Sequence, residues 1–439
     1  MTAALDLDLA AAFDALAQAD VLRPAGRVTD VVGLVIEATG PAAPVGALCD
    51  VATSGGTAIG AEVVGCRDGR ALLMPLGELA GVGPGHRVVL RRSTPTVAVG
   101  PELLGRVVDG LGRPLDGRGP VAARARVPIA GRPVNPLERV PITEPLDLGI
   151  RAVNALVTCG RGQRVGVFGG SGVGKSTLLG MAARHTRADV NVIALVGERG
   201  REVRRFLEHD LGPEGLARSV VVAVTADEPA LVRVRGALAA TAVAEHFRAQ
   251  GRHVLLLMDS LTRVAAAQRE IGLAIGEPPS ARGYTPSVFS LLPRLLERAG
   301  RDRHGSITGI YTVLLEGDDL TDPVADTART ALDGHVVLSR RLAAEGRFPA
   351  VDVLESVSRV MLDVTPPAHR AAAERVRAWL ASLRDAEDLI QLGAYTRGTD
   401  PTLDDAVDRR PAIARFLRQA LDEPATLDAS IAALATLVS

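Results

Sequence analysis

The run Gly169-Gly170-Ser171-Gly172-Val173-Gly174-Lys175-Ser176 matches the pattern G-x-x-x-x-G-K-[ST]. It follows an apolar stretch at 164–168 and precedes a helical segment at 177–183. A strand, this loop and then a helix is the context in which the pattern cradles phosphate. Its glycines let backbone N–H groups turn inward, and the helix start adds partial positive charge. Lys175 is expected to reach the β- and γ-phosphates of ATP and the Ser176 hydroxyl to ligate Mg²⁺, with the segment from Gly169 to Thr177 surrounding the phosphates. Composition adds an independent sign, because Lys175 is the only lysine in the chain and every other strong base is arginine. One compact ammonium is kept where a planar guanidinium fits poorly.

Outward from the loop, apolar strands alternate with helical segments from Ile150 to about Asp363. The strands are expected at 164–168, 190–196, 220–224, 254–258, 306–314 and 335–338. Such alternation predicts a mainly parallel sheet covered by helices. Leu255-Leu256-Leu257-Met258-Asp259 is a strand ending in a carboxylate, and after a phosphate loop such an Asp holds the water shell of Mg²⁺. Ser260 follows it, so the water-activating base must come from elsewhere. Val196-Gly197-Glu198-Arg199-Gly200-Arg201-Glu202 ends the next apolar strand after the loop, and in a parallel sheet its carboxyl end is expected beside the loop. Glu198 is the candidate base and Glu202 a structural residue. On spacing alone, a solvated charged turn fits these residues equally well.

The flanks differ in texture. Residues 24–94 carry short strands at 27–37, 47–52, 60–66, 71–75 and 86–92, punctuated by Gly and Pro, which suggests a small closed barrel. Residues 105–145 are rich in Gly, Pro and Arg, and are expected to be a structured linker into the nucleotide-binding domain, which ends near 364. Residues 365–439 read as a separate helical domain. In 1–23, Leu5, Leu9, Phe13 and Leu16 recur at helical spacing beside Asp6, Asp8, Asp14 and Asp20, an amphipathic helix that either caps the next domain or docks on a partner.

The 439 residues carry 50 basic and 51 acidic side chains, which leaves no whole-molecule attraction for nucleic acid or an anionic membrane. Aromatics at 3% leave little for base-stacking platforms. Cys49, Cys66 and Cys159 form no CxxC pair, as expected of reduced thiols. The opening Met1-Thr2-Ala3-Ala4-Leu5-Asp6 has no cationic run of the secretory type, and the apolar runs are too short to span a bilayer. A soluble, cytoplasmic chain is expected.

The loop is one of an ordered set of motifs. GERGREV stands at 197–203, MDSLTR at 258–263, GEPPSARGYTPSVFS at 276–290, EGDDLTDP at 316–323, LDGHVVLSR at 332–340 and SVSR at 356–359. From about Gly26 to near the C-terminus this set resembles the type III protein-export ATPases, which energise flagellar and injectisome secretion and are similar to the catalytic subunit of rotary F-type ATP synthases. The resemblance implies an N-terminal β-barrel, a RecA-like ATPase domain and a C-terminal helical domain. It also implies a homohexameric ring with ATP between subunits. Glu198 becomes the catalytic carboxylate, Arg199 and Arg263 lie near the γ-phosphate, and Arg359 is the arginine finger reaching into a neighbour's site. Phe348 matches the position whose ring stacks on adenine. The family usually has Tyr there, and Phe keeps the stacking face. Asp319, Thr321 and Asp322 match a loop facing a central stalk, though an ordinary polar turn fits as well.

Implied partners are a stator-like regulator at the N-terminal helix, a coiled-coil stalk protein, chaperone–substrate complexes and the export gate, with peripheral association at the cytoplasmic membrane and no nucleic acid. Flagellar export is the first expectation, because residues 160–189 read closest to that branch. An injectisome ATPase is the near alternative. An ATP-synthase catalytic subunit is disfavoured by GERGREV, and a ring-shaped RNA translocase by neutral charge and scarce aromatics. A decayed binding subunit is disfavoured by the joint presence of Lys175, Glu198, Asp259 and Arg359.

Overall fold

The computed structural model describes residues 23–319 and 321–439, so the amphipathic segment before Arg23 lies outside the described residues. They form two compact units, one up to Pro95 and one from Thr96 onward.

The first unit is a closed barrel of β1 (Ala25–Val32), β2 (Val35–Ala38), β3 (Leu48–Ala52), β4 (Ala58–Arg67), β5 (Arg70–Pro75) and β6 (Arg87–Arg92), in the order β1-β2-β5-β4-β3-β6. Period-two alternation sends Val28, Ile36, Val51, Val63, Leu73 and Val88 into its core. The run 27–37, expected as one strand, is a hairpin. Val32 pairs with Val35 across Gly33, whose φ of 58° suits a tight turn. Apolar residues flank that glycine on both sides, so hydrophobicity alone does not mark the break.

In the second unit, β7 (Thr96–Val99) pairs with β9 (Ala125–Pro128). The main sheet comprises β8 (Arg106–Val108), β10 (Arg164–Gly169), β11 (Val190–Glu198), β12 (Ser219–Thr225), β13 (His253–Asp259), β14 (Gly300–Arg301), β15 (Ser306–Leu314), β16 (Gly334–Leu338) and β17 (Val351–Ser358). Its order is β17-β16-β10-β15-β13-β11-β12-β8, with β14 hanging on β15. From β16 to β8 all neighbours are parallel, while β17 runs antiparallel at one edge. Central strands such as β13 are apolar almost throughout because helices cover both faces.

All six expected strands are present. The order carries a detail that the alternation does not: β11 does not adjoin the loop-bearing β10, since β15 and β13 stand between them. A strand formed much later in the chain fills the place beside the loop. The segment expected as a linker also supplies the edge strand β8, where Arg106 Nε pairs with Asp116 at 2.6 Å.

The helices Pro367–Asp385, Pro401–Leu417 and Leu427–Val438 share one core with the sheet unit: Val376, Trp379, Ile413, Phe416 and Leu434 join the cluster that contains Leu156 and Val167. Among the described residues, no helix is long and apolar enough to cross a membrane.

Candidate active site

The phosphate loop leaves β10 at Gly169 and enters the helix Lys175–His185. Gly172 and Gly174 adopt φ of 80° and 97°, a region that side chains with a Cβ rarely enter. Leu178, Leu179, Met181 and Ala182 anchor the helix in the core. Lys175 is buried, and its ammonium donates to the carbonyl of Gly169 at 2.9 Å and to that of Gly170. Burial pushes its pKa down, while the charges of Asp259 and Glu198 pull it up.

At the second residue of that helix, Ser176 Oγ donates to Asp259 Oδ2 at 2.9 Å. The other carboxylate oxygen accepts from Thr312 Oγ1 at 2.6 Å. Asp259 is only 3% exposed, so both oxygens are fixed in a place where an unpaired carboxylate would be costly. Thr312 lies on β15, the strand between β10 and β13. It was missed in the sequence because a threonine in an apolar run looks like ordinary strand chemistry. Asp259 and Ser176 provide the hard oxygen donors that suit Mg²⁺.

Glu198 ends β11 after Gly197, whose φ is 73°. Arg263 grips it from the helix Leu261–Ala274, with Nε 3.0 Å and Nη2 3.2 Å from its two oxygens. Ser260 caps that helix by accepting from Arg263 N–H at 3.3 Å. Burial raises the Glu198 pKa well above the carboxylate range. A hydrogen bond to Glu202 and the charge of Asp259 add to this, and Arg263 opposes it. The same hydrogen bond holds Glu202 below its ordinary value. A carboxyl whose pKa is lifted towards neutrality can take a proton from water.

Lys175, Ser176, Thr177, Glu198, Asp259 and Arg263 line one cavity of about 340 Å³. Loop residues Ser171, Gly172 and Gly174 border it, while Gly169, Gly170 and Val173 are buried and do not line it. Arg205, Phe206 and Asp210 also line it, and no motif in the sequence marked them. Asp210 belongs to the segment Phe206–Leu211, whose backbone comes so close to Gly180 that a Cβ there would lie 2.6 Å from the Asp210 carbonyl oxygen.

Other candidate residues stand apart. Arg199 is exposed and turns to Glu202, 3.9 Å away. Phe348, 48% exposed, lines a separate open cavity of about 700 Å³ with Arg151, Arg415 and Arg418. Arg359, just past β17, is exposed; its N–H donates to the Asp333 carbonyl at 2.9 Å and its Nη2 to the Arg329 carbonyl at 3.4 Å. Asp319 pairs with Arg282 at 2.7 Å and accepts from Thr321 N–H and Oγ1. Asp322 caps the helix Pro323–Ala331.

A strand–loop–helix phosphate cradle, with carboxylates delivered from two other parallel strands of a helix-covered sheet, defines a RecA-like phosphate-loop ATP hydrolase. Family comparison agrees. Residues 28–91 match the ATP synthase alpha/beta family beta-barrel domain, 149–358 its nucleotide-binding domain, and 365–436 the T3SS EscN ATPase C-terminal domain. The chain is 52% identical over 426 residues to the flagellum-specific ATP synthase of Bacillus subtilis, covering 97% of each chain. It is 51% identical over 409 residues to the type 3 secretion system ATPase of Xanthomonas euvesicatoria, covering 93% of this chain and 92% of that one. The assembled ATPase EscN of enteropathogenic E. coli, solved in complex with its central stalk EscO, superposes with a TM-score of 0.88 at 42% identity, covering 94% of this chain and all of that one. The chain belongs to the type III protein-export ATPases of the ATP synthase alpha/beta family.

Proposed function

We propose that this chain hydrolyses MgATP to energise flagellar type III protein export, working in the cytoplasm as a homohexamer at the inner face of the membrane. The observation that carries the catalytic part is the single cavity that holds Lys175, Ser176, Asp259 and Glu198. Lys175 and the loop N–H groups bind the β- and γ-phosphates. Ser176 and Asp259 would hold Mg²⁺, which when bound neutralises charge on the phosphate oxygens. Glu198 orients and deprotonates the attacking water. Arg263 holds Glu198 and faces the γ-phosphate, and Arg199 stands at the rim. Phe348 stacks on adenine. Arg359 acts in trans, in the neighbouring subunit's site.

EscN was solved assembled with a central stalk, which supports a ring and a stalk partner for this chain. The N-terminal segment would dock a stator-like regulator, and the C-terminal helices would act on chaperone–substrate complexes at the export gate. The 51% identity to a type 3 secretion system ATPase makes injectisome export the second reading.

The test mixes two variants before assembly. Lys175→Ala keeps the finger and loses the pocket; Arg359→Ala keeps the pocket and loses the finger. Each alone should be nearly inactive, since a finger arginine contributes ~10³–10⁵ in rate. Mixed rings should regain ATPase activity that rises with protein concentration. Normal hydrolysis by Arg359→Ala alone would refute the trans assignment.

A further inference from the structure

The loop at 418–426, between the helices Pro401–Leu417 and Leu427–Val438, touches both halves of the nucleotide site. At its start, Gln419 N–H donates to the Phe348 carbonyl at 3.0 Å. The Gln419 side chain is 5% exposed, and all its bonds are made inside the protein. Oε1 accepts from Arg151 N–H at 2.8 Å, and Nε2 donates to the carbonyls of Gly149 at 2.7 Å and Glu423 at 2.8 Å. Two residues on, the Leu421 carbonyl accepts from Arg184 Nη2 at 2.8 Å, and Asp422 pairs with Arg184 at 3.3 Å. Arg184 lies in the last turn of the helix that begins with Lys175. Farther along, the Ala425 carbonyl accepts from Asn154 Nδ2 at 3.0 Å.

The loop therefore ties the backbone of the exposed ring, Phe348, to the far end of the phosphate-loop helix. Gln419 is its pivot. It borders the Phe348 cavity, but both of its amide donors and one of its two acceptor sites are already bonded within the protein. It acts through Phe348 and through the start of the nucleotide-binding domain at Gly149 and Arg151.

We propose that Gln419 is a positioning residue for base binding: it sets where the Phe348 ring stands relative to the phosphate loop, and so sets affinity for the adenine end of ATP without touching the chemistry at the γ-phosphate. This rests on the reading of Phe348 as the adenine platform. A buried amide bonded to three backbone groups holds its own backbone in one place, and its loss lets the ring carrier drift.

The experiment compares ATP with ribose 5-triphosphate, which has the phosphates and sugar but no base, as magnesium complexes with the full chain. Gln419→Met keeps the volume and removes the hydrogen bonds. Gln419→Asn keeps polarity, shortens the reach and covers the case in which the methionine variant does not fold. Both should raise KM for ATP about five- to tenfold with kcat within about twofold of the parent, and should leave KM for ribose 5-triphosphate unchanged. An equal rise for both substrates would make the loop a general support of the phosphate cradle and overturn the proposal. So would an unchanged KM for ATP, or a fall in kcat at constant KM. Phe348→Ala separates the two levels of inference. If it leaves KM for ATP unchanged, the platform reading is wrong; if it raises that KM while the Gln419 variants do not, only the role of Gln419 fails.

Discussion

Glu198→Gln separates binding from chemistry. The carboxylate accepts one hydrogen bond from Arg263 Nη2, at 3.2 Å, and lies in ion-pair contact with its Nε at 3.0 Å. Glutamine keeps the shape but can accept only through its single carbonyl oxygen, so Arg263 retains one bond and the local fold should hold. What disappears is the proton acceptor. Loss of a general base costs 10²–10⁴ in rate, roughly 3–5 kcal/mol of barrier. Affinity should move the other way. The cavity carries Glu198, Glu202 and Asp259, and removing one negative charge near a polyanionic ligand relieves repulsion on the order of 1–2 kcal/mol at most. The gain should be smaller than that, because the raised pKa of Glu198 already leaves part of it uncharged. Equilibrium titration with a fluorescent ATP analogue and single-turnover phosphate release read the two effects independently. Tight binding with phosphate release slowed at least about a hundredfold is expected. Release within about threefold of the parent would refute the assignment of the base and make Glu202 the next candidate. Lost binding would mean that the carboxylate supports the cavity instead.

Glu202→Gln should shift the pH dependence of kcat/KM. The hydrogen bond that protonated Glu198 donates to the Glu202 carboxylate, and the charge of Glu202, both raise the Glu198 pKa, so the variant base should lose its proton at lower pH, and the acid limb of the profile should move down; a limb that stays put or moves up would contradict the coupling. Tyr311→Phe should stabilise the fold, because the Tyr311 hydroxyl is fully buried with no hydrogen-bond partner among the described residues and an unpaired buried group costs about 1–3 kcal/mol; a lowered midpoint of thermal unfolding would contradict this.

What could be read from the sequence was what depends on neighbours along the chain. The phosphate loop needs only eight consecutive residues and the strand and helix at its ends. Asp259 and Glu198 were legible because each closes an apolar run. The order of the strands was not legible, because any parallel order satisfies the same alternation. For that reason Thr312 was missed: its importance comes from β15 lying between β10 and β13, so that its hydroxyl meets Asp259 across 53 residues of sequence. Gln419 is the extreme case, bonded to Gly149 across 270 residues. A polar residue just past a helix carries no local mark of such a partner. The edge strand β8 stayed hidden for a different reason, since three residues in a Gly- and Pro-rich stretch show no period.

The charges around the site bear on the trans reading of Arg359. Within the cavity, the guanidinium of Arg263 is already matched by the Glu198 carboxylate, and Lys175 is proposed to serve the β- and γ-phosphates. Arg205 lines the same cavity, and because phosphoryl transfer spreads further negative charge over the γ-phosphate oxygens, a cation from a neighbouring copy would add to these three. Many arginines of this chain are paired with carboxylates, including Arg106, Arg164 and Arg298. Arg359 makes no ion pair among the described residues and donates only to backbone carbonyls. Its carbonyl bonds fix its place just past the edge strand β17, and its charge is left free on an exposed face. An exposed guanidinium without an ion pair among the described residues is what a site completed by a second copy would use, and this arrangement is compatible with the proposed finger role.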